Sequence, residues 1–121
     1  MSLGLLVGVG LLGGLGSLAR LLLDSRISRR SNAAFPYGTF AVNMSGALML
    51  GVLAGVGLGP DAFRLAGVGL VGAYTTFSTW VLESHRLAEH GGTRVAAANI
   101  AVSVLAGLAA VWLGRELGMA L

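Results

Sequence analysis

Gly72-Ala73-Tyr74-Thr75-Thr76-Phe77-Ser78-Thr79-Trp80 sets four aliphatic hydroxyls within five positions, in the middle of a run that is otherwise apolar enough to cross a bilayer. Hydrocarbon offers no partner to a hydroxyl or a free peptide group, and each one left unsatisfied there costs several kcal/mol. The stretch therefore has to bond inside the protein, and its polarity calls for a functional reason. An unbroken helix gives one reading, in which Thr75 and Thr76 bond back to carbonyls one turn earlier. A break in the helix, which frees carbonyls and amides, gives another. Non-helical backbone at membrane depth is tolerated only where protein or a cavity surrounds it.

Composition decides the setting. Of 121 residues, 55% are hydrophobic and only 11% charged, with 20 Gly, so an integral membrane protein is expected rather than a soluble domain. The lack of Cys excludes disulfides, thiolate metal sites and cysteine nucleophiles, and the two His sit among charged residues, so little material for enzyme chemistry remains. The net charge of +3 comes from Arg alone, without basic–aromatic runs, which suits headgroup or anion contact and not nucleic acid. The first apolar run reads as a retained span and not as a signal peptide.

Four windows meet the requirement of about twenty apolar residues for a crossing: 3–23, 40–58, 63–82 and 95–114, forming one four-helix membrane domain over 1–121. The connectors are 24–38, 59–61 and 83–94. In the second window Asn43, Ala47, Gly51, Gly55 and Gly59 recur every fourth residue, in the fourth Asn99, Ser103 and Gly107, and in the first Gly10 with Gly14 and Gly13 with Ser17. Such small stripes are predicted helix–helix contact faces. The Asn residues in them ask for more, and Asn99 either extends a donor track or ties two helices together. Arg20, Arg26, Arg29, Arg30, Arg86 and Arg94 fall on the face of the first and third connectors, against Arg64 and Arg115 opposite. The positive-inside rule then places both termini outside the cytoplasm. Arg20 within the span would narrow the split to five against two.

The opening stretch, taken with Gly38-Thr39-Phe40-Ala41-Val42-Asn43-Met44-Ser45-Gly46, resembles the two signatures of the Fluc (CrcB) fluoride channels, and the likeness extends over the whole chain, with Arg20 at the end of the first span and Ser103 and Trp112-Leu113-Gly114 in the fourth. The resemblance implies an antiparallel dimer of four-helix subunits with two fluoride pathways. It also implies a third helix broken near the midplane, and a structural sodium ion on the dimer axis held by the carbonyls of Gly72 and Thr75. Along the anion route it implies Asn43, Phe77, Thr79 and Ser103, with Arg20 lining a vestibule. Hydroxyls, an amide and ring edges are the donors such an ion needs once stripped of water. Trp80 departs from the family's usual Phe; its indole adds bulk and an N–H donor, so slower flux than in a Trp80→Phe variant is expected. The function implied is passive fluoride export across the plasma membrane.

Plainer readings stand beside these. Phe77 and Trp80 at i,i+3 fit ordinary packing, Arg20 can snorkel to headgroups, Glu83 suits the interface better than a proton carrier, and His85, Arg86 and His90 suit a solvated loop face. A proton-coupled small multidrug exporter has similar length and span count, but it needs a membrane-embedded carboxylate, and no Asp or Glu lies inside the four windows. A non-transporting assembly protein would account for the glycine stripes and leave Asn43, Phe77 and Ser103 without a role. The biased arginines point toward a heterodimer with an oppositely inserted partner; their partial balance leaves a homodimer equally open.

Overall fold

The computed structural model describes all 121 residues and is helical throughout, with four helical stretches long and apolar enough to cross a membrane. Helix α1 is Leu3–Arg30, α2 is Tyr37–Val56, α3 covers 60–74, α4 is Ser78–Glu89 and α5 is Thr93–Met119. The third crossing is made by α3 and α4 together.

Local chemistry explains the ends. Ser2 caps α1 by accepting from the Leu5 amide at 3.1 Å, and Arg29 and Arg30 occupy its last turn, where the helix dipole favours cations. Gly57 (φ 77°) ends α2 in the left-handed region that a side chain would resist, and Pro60 opens α3 from the first turn, where a missing N–H costs nothing. Inside α3 the stretch Arg64–Val71 widens to π-type turns; the Gly72 amide bonds back to the Gly67 carbonyl, five residues earlier.

The helices are longer than the apolar windows. α1 continues through Asp24 to Arg30, and α4 carries Glu83 and His85 to Glu89, so the connectors shrink to 31–36 and 90–92. Helical hydrogen bonding does not stop where apolar residues do, because peptide groups remain better paired than unpaired in the interfacial zone. One consequence is that Asp24 and Glu83, outside the windows, are helical residues here. Carboxylates are thus present on the spanning helices themselves, and their exclusion from the apolar windows weighs less against an exporter than the sequence suggests.

Two helix pairs approach backbone to backbone. In α2 against α5, a Cβ added to Gly51 or Gly55 would run into the carbonyl of Val111 or Arg115, and one added to Gly114 or Gly118 into that of Leu48 or Val52. In α1 against α3, Gly16 faces the Leu70 carbonyl, and a Cβ on Gly69 would sit 3.2 Å from Val9. Gly51 and Gly55 thus pack as their stripe predicts. A Cβ added to Gly10, Gly14 or Gly59 would meet no neighbouring element within 4 Å, and the close contacts of α5 come from Gly114 and Gly118 instead of Gly107. Only 16 residues are buried, while Leu11, Leu15, Leu105 and Leu108 point outward, a surface suited to hydrocarbon.

Candidate functional site

Helical geometry lapses between α3 and α4. Tyr74 ends α3, Thr75 is extended (φ −77°, ψ 162°), and α4 resumes at Ser78. Gly72 itself keeps helical angles (φ −59°, ψ −41°). The irregular residues are held by a neighbouring helix: Asn43 of α2 donates from Nδ2 to the Thr76 carbonyl at 2.9 Å and accepts the Thr76 amide on Oδ1 at 2.8 Å. One side-chain amide thereby satisfies both polar groups of one displaced residue. Thr76 Oγ1 then accepts the Thr79 amide at 3.2 Å and donates to Thr79 Oγ1 at 3.1 Å, satisfying an amide in the open first turn of α4.

The carbonyls of Gly72 and Thr75 are among those left without backbone donors where the helix lapses. In a continuous helix those of Gly72 and Thr75 would accept the amides of Thr76 and Thr79, which are bonded elsewhere. Gly72 O instead accepts Thr75 Oγ1 at 3.3 Å, and Thr75 O accepts Arg20 Nη1 at 3.4 Å. Each keeps a lone pair. Neutral oxygens of this kind fit a hard cation such as sodium in donor type, and Gly72, exposed and without a Cβ, leaves room for approach.

Asn43, Gly72, Thr75, Phe77, Trp80 and Ser103 line one open groove of about 380 Å³, and Arg20 and Thr79 line a smaller cavity of about 130 Å³; Thr76 borders both. Phe77 is 73% exposed, its ring 5.6 Å from that of Trp80 in an edge-to-face arrangement. Two assignments change. The indole N–H of Trp80, expected as an extra donor for an anion, is committed to the Asn99 carbonyl at 3.3 Å. Asn99, wholly buried, donates to Ser84 Oγ at 2.8 Å and accepts Ser103 Oγ at 3.3 Å, while Ser84 donates to the Trp80 carbonyl at 2.9 Å. Asn99 therefore ties α4 to α5. Its partners are polar atoms with no alternative in an apolar setting, which is what makes such a knot hold.

Sequence reading missed Thr39, Asp24 and Thr76 and gave Glu83 no partner. Thr39 Oγ1 donates to Glu83 Oε1 across α2 and α4. The available signal was spacing: Thr39 lies one turn before Asn43, on the same face. His85 pairs with Glu89 at 2.6 Å, and His90 Nδ1 lies 2.7 Å from the Arg86 carbonyl, so the two rings have separate local partners.

Residues 7–115 match the family described as "CrcB-like protein, Camphor Resistance (CrcB)". A Mycobacterium tuberculosis protein named "Fluoride-specific ion channel FluC 2" is 56% identical over 109 residues, covering 90% of this chain and 86% of the relative. A Symbiobacterium thermophilum protein named "Fluoride-specific ion channel FluC 1" is 45% identical over 116 residues (91% and 94%). An Acidobacterium capsulatum protein named "Fluoride-specific ion channel FluC" is 43% identical over 116 residues (91% and 92%). These relatives are named as ion channels, a non-enzyme class. A non-helical segment pinned by Asn43, polar-lined cavities on either side of Thr76, and likeness over nearly the whole length agree: this chain belongs to the CrcB family of membrane proteins.

Proposed function

We propose that this chain is a fluoride-specific channel that lets fluoride leave the cell passively through the plasma membrane, working as an antiparallel dimer whose third crossing is broken near the membrane midplane. The observation that carries the proposal is the Asn43–Thr76 clamp, which holds a polar, non-helical segment inside a helical crossing, beside a groove that Phe77, Trp80 and Ser103 also line. A strongly hydrated small anion needs such fixed donors and ring edges to replace its water. Relatives carrying fluoride in their names support the choice of ion.

The dimer reading is supported by the open groove and by exposed Gly72 and Phe77, which a second subunit would cover. Both a second copy and a paired chain of opposite orientation satisfy it. The carbonyls of Gly72 and Thr75 would hold a structural sodium ion near the midplane between subunits, and that ion would supply a fixed positive charge beside the anion routes. Arg20 raises local anion concentration at the entrance.

Liposomes loaded with fluoride or chloride test the proposal. Fluoride efflux far exceeding chloride efflux is expected, with activity lost when sodium is withdrawn. Equal flux of both anions defeats selectivity, and sodium independence removes the axial ion. No flux until an oppositely oriented paired subunit is added identifies a heterodimer.

A further inference from the structure

We infer that Asp24 sets how tightly an anion is held in the cavity beside Arg20, and so acts as an affinity-determining residue for the conducted ion; the inference rests on the fluoride-channel reading. Arg20 and Asp24 stand one turn apart on α1, and both line the cavity of about 130 Å³ together with Thr39, Thr76 and Thr79. They do not pair. The ion pairs of the molecule are Arg64 with Asp61, His85 with Glu89 and Arg115 with Glu116.

Each charge is anchored by another group. Arg20 Nη1 donates to the Thr75 carbonyl at 3.4 Å, and Asp24 Oδ1 accepts Ser28 Oγ at 3.2 Å. Gly38 secures the carboxylate further: a Cβ there would collide with Asp24 Oδ1 and lie 2.8 Å from Ser28 Oγ. The bare glycine lets the positive first turn of α2 lie against the Asp24 side chain. A guanidinium and a carboxylate are thus fixed on the walls of one small space.

The hydroxyls decide what that space accepts. Thr39 gives its hydrogen to Glu83, and Thr76 gives its own to Thr79 Oγ1 at 3.1 Å. Thr79, accepting there, keeps its O–H free. The unused N–H groups of Arg20 and the Thr79 O–H are therefore the donors available to an anion, and Asp24 is the only carboxylate on the cavity wall. A permeation site must bind well enough to admit the ion and weakly enough to release it. Arginine and a hydroxyl in a confined, low-dielectric space would hold fluoride too long, and the Asp24 charge offsets that attraction.

Fluoride efflux measured against fluoride concentration in liposomes tests this. Asp24→Asn keeps the Ser28 bond and the Gly38 contact while removing the charge. Its half-saturating fluoride concentration is expected to fall about tenfold, with a lower maximal flux. The difference should shrink at high ionic strength and persist, about a higher half-saturating concentration, when Arg20→Gln is also present. Asp24→Ser, measured the same way, provides the readout should the Asn variant not fold. A half-saturation and salt dependence equal to wild type overturn the inference, as does a lower flux at unchanged half-saturation, which would make Asp24 structural. Wild-type protein that passes no fluoride even with an oppositely oriented paired subunit present sinks the channel reading and this inference together, whereas a conducting wild type with an indifferent Asp24→Asn sinks the inference alone.

Discussion

Asn43 carries more of the site than any other side chain, because a single amide replaces the two helical hydrogen bonds that Thr76 gives up. Asn43→Ala leaves both groups unpaired inside the helix bundle. The expected result is a loss of about 2 kcal/mol of stability, near the cost of orphaning buried polar groups, seen as a lower unfolding temperature in detergent, together with at least tenfold weaker fluoride efflux. Full retention of both would show that water or lipid headgroups can replace the clamp. Trp80 is a different case. With its N–H bonded to Asn99, Trp80→Phe should lower stability by about 1 kcal/mol and raise fluoride flux through the smaller ring, leaving fluoride preferred over chloride. Stability unchanged after that replacement would mean the indole bond contributes nothing net.

Among the elements, α2 and α5 form the backbone-close pair that supports everything above. A methyl at Gly114 would enter the space of the Leu48 carbonyl, so Gly114→Ala must force the helices apart or shift their register. Since lipid tails give helices no hydrophobic reason to associate, lost backbone proximity is not recovered elsewhere. Gly114→Ala is expected to lower the detergent unfolding temperature, with a loss of roughly 1–3 kcal/mol in stability, as overpacked contacts do. Gly10→Ala, which meets nothing within 4 Å, should be silent or mildly stabilising through better helix propensity. Equal behaviour of the two variants would contradict the packing described. The non-helical segment of the third crossing depends on the same pair: α2 brings Asn43 to Thr76, and α5 brings Asn99 to Trp80.

At the scale of the whole molecule, the outward leucines suit lipid, and in the proposed dimer the open groove and the exposed Phe77 are the surface a second subunit would cover. The absence of native Cys makes a single introduced one informative. Gly72→Cys is sterically allowed, since a Cβ there comes no closer to its surroundings than 3.5 Å, the distance to the Gly67 carbonyl. In an antiparallel homodimer with its axis near Gly72, that variant should yield a disulfide-linked dimer on oxidation, while Ala33→Cys in the first connector should not, its two copies lying on opposite faces. Cross-linking through Ala33→Cys and not Gly72→Cys would favour a parallel arrangement. Neither variant linking would favour a paired second chain.

The sequence alone determined what hydrophobic length and residue chemistry determine: four crossings, their order, the polar insertion at 72–80, and the kinship carried by that insertion and by 38–46. Those properties are local, since a run of twenty apolar residues must enter lipid whatever its neighbours do. Which polar groups pair was decided only by tertiary structure. Nothing in the order of residues says that Asn43 will clasp the Thr76 backbone, that Trp80 will spend its N–H on Asn99, or that Arg20 and Asp24 will share a cavity unpaired. Hydrogen bonds reach only about 3 Å, and which partner comes inside that distance depends on how closely glycines such as Gly38 and Gly114 let the helices approach.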